Sequence, residues 1–333
     1  MSAAGASPGG PSMVQPVVQP GGWPPEDLRR DADWARRLDA AEIAAFERGL
    51  AHARASGKGF WDLAPDDFPF GEAALERLAR ALAETQQGRG FQMLRGLPVD
   101  RWSVEDARLF FWGLGLHLGV PRPQGRASQY MSDVRDAGGT YRSVQGRGYN
   151  TKSALDFHAD GSDLVGLMCL RTGVCGGESL IASSITAHNA MLAERPDLLA
   201  RLYEPVPFSR QGEQAPEEPA WYMAAIIGVR DGRFAGRHIR NHVKSAQLSF
   251  PEAPRLTPEQ IEAMDLFDAI LVRPEVCSWR LAYKDVEARA VRGGFRGLGI
   301  TPQIESFEAR MAAHHAMAFR IYADRAHAQG VRA

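Results

Sequence analysis

The sequence predicts an α+β fold in which helices wrap a β-sandwich or jelly roll. Three observations carry this. Helical patterns dominate between the N-terminal stretch and residue 119, short apolar runs at turn spacing take over from about residue 163, and a helical insertion interrupts those runs. The 333 residues are 44% hydrophobic, enough to bury the core of one large domain. Lys plus Arg number 39 against 40 acidic residues with no block of one sign, which argues against a nucleic-acid or anionic-membrane partner and for small molecules.

The N-terminal stretch, "MSAAGASPGGPSMVQPVVQPGGWPPEDLRR", is rich in Gly, Pro and Ser and reads as a flexible leader over residues 1–25, with a single domain over 26–333. It lacks the compact apolar core of a signal peptide, and no stretch approaches the roughly 18 apolar residues of a membrane span. Cys169, Cys175 and Cys277 form no CxxC pair and no even framework, so they read as free thiols of a cytoplasmic protein.

Helical periodicity follows at 39–57 and at 71–88, where Leu75, Leu78 and Leu82 define one apolar face and Gly88 a stop. "GFQMLRGLP" (90–98) reads as a buried strand. A helix over 103–119 opens on Ser103, with Asp106 completing a capping-box-like start. Residues 120–150, dense in Gly, Arg and Gln, suit a long loop or short strands over a cleft. Strands are expected at 163–171 and 178–184, and a hairpin at 225–236 around Asp231 and Gly232. Helices are expected at 186–204, at 257–275 with Thr257 as cap, and at 305–330.

The chemistry concentrates in "LDFHADGSDLVGLMCLRTGVCGGESLIASS" (155–184). On an extended chain, alternate side chains share a side, so His158 and Asp160 can face one ion. A nitrogen donor beside a carboxylate is two thirds of a facial Fe(II) triad, whose third ligand is a distant histidine; a zinc hydrolase can use the same pair. The plainer reading keeps His158 in a local hydrogen bond and gives Asp160 and Gly161 a turn.

"FHADGSDLVGLMCLRTGVCGGESLIASS", then "AHNAMLAERPDLLARLY", resembles the central block of the taurine dioxygenase-like family of Fe(II)/2-oxoglutarate-dependent oxygenases. "GVPRPQ", "DVRDAGG", "GRHIRNHVKSAQ" and "LTPEQIEAMDLFDAI" extend the resemblance over roughly residues 90–276, in the right order. The resemblance implies a double-stranded β-helix (jelly roll) core wrapped by helices. It implies Fe(II) held by His158 and Asp160, 2-oxoglutarate as co-substrate with Ser179 at its carboxylate, and O2 with a small-molecule substrate as partners. Gln124 and Asn189 fall in family-like stretches, where polar side chains also serve to tie loops together. Gly176 and Gly177 suit a tight turn.

Beyond Cys277 the pattern departs. "SWRLAYKDVEARAVRGGFRGLGI" contains no histidine, no Gly-Asp and no Asn-Asn, so residues 277–333 do not follow the family. His314 is the nearest match for the third ligand, because "HHAMAF" keeps a phenylalanine five residues on and Arg325, eleven residues on, sits where the family's 2-oxoglutarate arginine is expected. Two alternatives stand beside it: the third ligand is absent, or His315, His242 or His238 supplies it, the last two from alternate positions of an expected strand. A shifted reading frame or replaced tail would also account for the departure.

The function expected is therefore hydroxylation of a small anionic or zwitterionic organic substrate, with release of succinate and CO2. Arg122, Arg126, Arg142 and Arg147 are available to an anion, and Tyr130, Tyr149 and Trp221 to a pocket wall or to packing. The rivals are a jelly-roll protein without catalysis or with an impaired iron site, and a zinc hydrolase. Homo-oligomerisation stays open.

Overall fold

A computed structural model describes residues 14–121, 130–135, 138, 154–160, 162, 164–171, 179–212, 214, 218–230 and 233–277, together with the backbone of 290–296. The expected leader is overturned for residues 14–25. They form a strap whose Val17 and Trp23 are buried, ending in a short helix, α1 (Pro25–Arg30). A Pro- and Gly-rich segment cannot satisfy its own backbone, and side chains elsewhere do so here. Ser183 Oγ donates to the Gly21 carbonyl at 2.6 Å, Thr186 Oγ1 to the Trp23 carbonyl at 2.9 Å, and Trp23 Nε1 to the Arg89 carbonyl at 2.8 Å.

The strap leads through β1 (Ala35–Arg37) into α2 (Ala40–Ala55), α3 (Glu72–Gln87), β2 (Met93–Arg95) and α4 (Val104–Leu118), close to the expected ranges. Asp39 and Glu42 close a capping box on α2. Ser103 accepts from the Asp106 N–H at 3.0 Å, but the Asp106 carboxylate pairs with Arg54 at 3.2 Å rather than reaching back to the cap. On α3 Leu78 is buried while Leu75 is 39% exposed, so the inward stripe is narrower than the leucine spacing implied. β2 pairs in parallel with β1 and is half-buried rather than buried.

Phe46, Phe68, Phe70, Phe110, Trp112 and Tyr130 fill the core between these helices, with edge-on ring contacts such as Phe46 to Phe110 at 5.4 Å. Two helical glycines permit the approach. A Cβ on Gly113 would stand 2.3 Å from Phe68 Cδ1, and one on Gly49 would stand 2.4 Å from Phe70 Cδ1. Burial pushes the Tyr130 phenol up to about 12.

The largest sheet is antiparallel. It joins β3 (Val120–Pro121), β4 (Met131–Asp133) and β5 (Leu164–Cys169) through a later strand, residues 290–296, which pairs with β5 on one edge and with β3 and β4 on the other. Part of the tail that departs from the family pattern thus occupies the middle of this sheet, because a ladder is made by backbone groups and tolerates many side chains.

The helix expected over 186–204 is two helices, α5 (Ser184–Glu194) and α6 (Pro196–Leu202). Pro196 forces the preceding Arg195 out of the helical region, to φ −144° and ψ 72°. Over the described residues 179–184 the expected strand is reduced to single bridge positions at Ser179 and Ala182, the latter opposite Cys277, and Ser183 turns the chain to cap α5 through the Thr186 N–H. Two antiparallel pairs follow, β6 (Pro205–Ser209) with β7 (Trp221–Ala225), and the expected hairpin of β8 (Ile227–Arg230) with β9 (Arg233–Gly236). α7 (Arg240–Ser249) and α8 (Pro258–Leu271) complete the second core, with Thr257 and Gln260 forming a capping box on α8. The strand at 290–296 is β10 (Ala290–Arg296).

Candidate metal centre

Residues 154–160 belong to no strand, so the extended segment expected for the HxD pair is an irregular loop. The pair nevertheless converges, with His158 Nε2 3.8 Å from Asp160 Oδ1. The ring is oriented from behind, its Nδ1 lying 2.7 Å from the Asp156 carbonyl. A carbonyl only accepts, so Nδ1 carries the proton and Nε2 is the lone-pair nitrogen, the tautomer a metal-ligating histidine needs. Both side chains are about one-third exposed, which leaves the pair open to a ligand from solution. A nitrogen and a carboxylate oxygen on one loop are donor types that suit two positions of a divalent transition-metal ion.

The loop is tied to the second core through its middle residue. The Ala159 N–H donates to the His238 carbonyl at 2.9 Å, and the Arg237 N–H donates to the Ile226 carbonyl at 2.7 Å. His238 is buried, and its ring goes to α8, with Nε2 2.6 Å from Asp268 Oδ1 and the ring edge-on to Phe267. The expectation that His238 and His242 alternate along a strand is therefore corrected. Ile239 and Arg240 turn the chain into α7, so His242 lies in a helix, and the buried His238 ring is directed to α8, with its Nε2 engaged by Asp268.

Ser179 is half-buried on the segment leading to α5. His314, His315 and Arg325 lie outside the described residues, as do Gln124, Tyr149, Gly176, Gly177, Arg122, Arg126, Arg142 and Arg147. Tyr130 packs in the first core, and Trp221 donates from Nε1 to Glu252 at 3.1 Å. Among the described residues no three His, Cys, Asp or Glu side chains group as a complete metal site, and no helix is long and apolar enough to cross a membrane.

Sequence reasoning missed one buried histidine that helps to organise this half. His188 is fully buried, with Nε2 2.7 Å from the Tyr203 hydroxyl and Nδ1 3.0 Å from Asn189 Oδ1. Asn189 also clasps the strap, accepting from the Val17 N–H at 2.9 Å and donating to the Val17 carbonyl at 2.8 Å. These two bonds fix the amide orientation, so His188 donates from Nδ1 and accepts from Tyr203. Burial holds the His188 imidazole below its ordinary pKa. Only its place in an apolar helical pattern hinted at this.

Comparison with known proteins gives the geometry its context. The family model described as "Taurine catabolism dioxygenase TauD, TfdA family" matches residues 54–285, reaching further upstream than the motifs indicated. FR-33289 synthase of Streptomyces rubellomurinus is 32% identical over 269 residues, covering 79% of this chain and 77% of its own. The taurine hydroxylase-like protein SAT17 of Stachybotrys chartarum is 26% identical over 243 residues, covering 70% of this chain and 60% of its own. The matched region includes the HxD loop, the His238 segment and every helix from α3 to α8, and the chain belongs to the TauD/TfdA family of taurine catabolism dioxygenases.

Proposed function

We propose that this protein is an Fe(II)/2-oxoglutarate-dependent dioxygenase that hydroxylates a small anionic or zwitterionic organic substrate, with O2 consumed and succinate and CO2 released. The observation that carries the reading is the converged His158 and Asp160 pair, with its tautomer set by Asp156, inside a family match of this extent. The proposed fold is a double-stranded β-helix in a single domain over 26–333, with residues 14–25 strapped onto it, working in the reducing cytoplasm.

In this reading His158 Nε2 and Asp160 Oδ1 hold the iron, His314 supplies the third ligand, and His315 and His242 are the other candidates. Ser179 and Arg325 bind the carboxylates of 2-oxoglutarate. Bound iron would supply the oxidising chemistry that no side chain can perform, while the protein supplies ligands, orientation and exclusion of competing reactions. The Asp156 carbonyl keeps the His158 ring turned toward Asp160 and makes Nε2 more basic. The names of the relatives, a taurine hydroxylase-like protein among them, support an oxidised small molecule as the substrate class.

The test is release of succinate from 2-oxoglutarate under air by the full chain loaded with Fe(II), repeated with His314→Ala, His315→Ala and His242→Ala. Iron- and oxygen-dependent succinate, abolished by one of the three, supports the reading and names the ligand. A second reading, a family member with an impaired iron site, is favoured by the lack of any histidine between His242 and His314. It predicts no succinate from wild type. Hydrolytic activity with Zn(II) and no oxygen requirement would instead support the hydrolase.

A further inference from the structure

We propose that His238, Asp268 and Arg240 form a positioning clamp that fixes the HxD loop from the second core, an inference that rests on the iron-site reading above. Its last link is the backbone. The Ala159 amide, between the two proposed ligands, donates to the His238 carbonyl at 2.9 Å. Residue 238 is thereby held on two sides, with its carbonyl against the loop and its buried ring against α8.

The ring is fixed because Asp268 accepts from Nε2 at 2.6 Å and, through its other oxygen, from Arg240 Nη1 at 2.7 Å. Arg240 also pairs with Asp265, one helical turn away on α8. One guanidinium spanning two carboxylates on the same helix face holds the entry of α7 against α8, and His238 lies two residues before that entry. Phe267 packs edge-on against the imidazole at 5.1 Å between centroids, which limits its rotation.

The consequence lies in the geometry of the pair. Residues 154–160 gain no ladder from a strand, so the separation of His158 and Asp160 depends on tethers such as the Ala159 bond. The clamp residues touch neither the iron nor the substrate in this account and act through the backbone of residues 238 and 159.

The experiment compares Asp268→Ala, Asp268→Asn and Arg240→Met with wild type in the full chain. Two readouts are taken: hydrogen exchange of the peptide covering 155–160, and Fe(II) affinity in the presence of 2-oxoglutarate under anaerobic conditions. Asp268→Ala should accelerate exchange at the Ala159 amide by at least about tenfold and weaken Fe(II) binding by about 10- to 100-fold, the range for partners that orient ligands from outside the coordination sphere. Asp268→Asn keeps an acceptor for His238 Nε2 and should recover most of both.

Arg240→Met removes only the outer link and should give smaller changes in the same direction. It carries the test if Asp268→Ala does not fold. Folded variants that match wild type in both exchange and affinity would overturn the clamp while leaving the iron site standing. A wild-type protein that binds no Fe(II) overturns the iron site and the clamp's role in it together.

Discussion

The two cores of this molecule are held together by different chemistry. The first, between α2, α3 and α4, is filled by aromatic and aliphatic side chains, with rings in the spaces that Gly49 and Gly113 leave open, and its buried charges are paired, Glu42 with Arg77 and Asp67 with Lys58. The second, around α5, α6 and α8, contains buried His188, His238, Ser183, Ser209 and Ser245 among its aliphatic side chains. The first core packs regular helices, with one irregular connection at 56–70 that Asp67, His52 and His117 bond locally. The second carries irregular backbone, the strap at 14–25 and the HxD loop, and its buried polar groups are what that backbone bonds to.

The comparison breaks most readily in the first core. Phe110→Ala removes a fully buried ring in contact with Phe46, Phe70 and Trp102, and should cost about 3–5 kcal/mol in denaturant unfolding. The metal affinity of the surviving folded fraction should stay unchanged. A loss below about 1 kcal/mol would mean that this core is looser than its packing indicates.

The polar core should respond differently. Asn189→Ala leaves both backbone groups of Val17 and the His188 Nδ1 proton without their partner, at a cost of about 1–3 kcal/mol. The strap should then become a site of limited proteolysis near residues 14–22, and persistent resistance there would show that Trp23 and the serine and threonine bonds suffice.

His188 sharpens the contrast through pH. Because burial lowers its folded-state pKa, the unfolded chain binds more protons once pH falls below about 6.5, so stability rises with pH through that window. The contribution is full above about 6.5 and is lost on acidification toward the lower folded value. His188→Phe should flatten this part of the stability profile, and an unaltered slope would assign the acid sensitivity elsewhere. The smallest effect is expected on the surface: Arg80→Ala removes an exposed pair with Glu76 and should change stability by under about 0.5 kcal/mol.

Several elements of both cores were readable from residue patterns, although the division itself was not. α2 announced itself through its period, α4 and α8 through their caps, and the HxD pair through its spacing, because these signals are local. Two of the failures were tertiary. A strap rich in Pro and Gly looks flexible until Asn189, some 170 residues away, is known to clasp it. The His238 segment resembles a strand until Asp268 fixes its ring and α7 begins two residues later. The break at Pro196 was legible in principle, since the residue before a proline leaves the helical region, and the continuous apolar pattern hid it.

The measurement that bears most directly on the central claim is an anaerobic titration of the full chain with Fe(II) and 2-oxoglutarate, followed by the visible charge-transfer absorption of the chelate, for wild type, His158→Ala and Asp160→Ala. The account predicts a saturable band in wild type that is lost or weakened at least tenfold in both variants. A band of equal strength in the variants, or none in wild type, would contradict it.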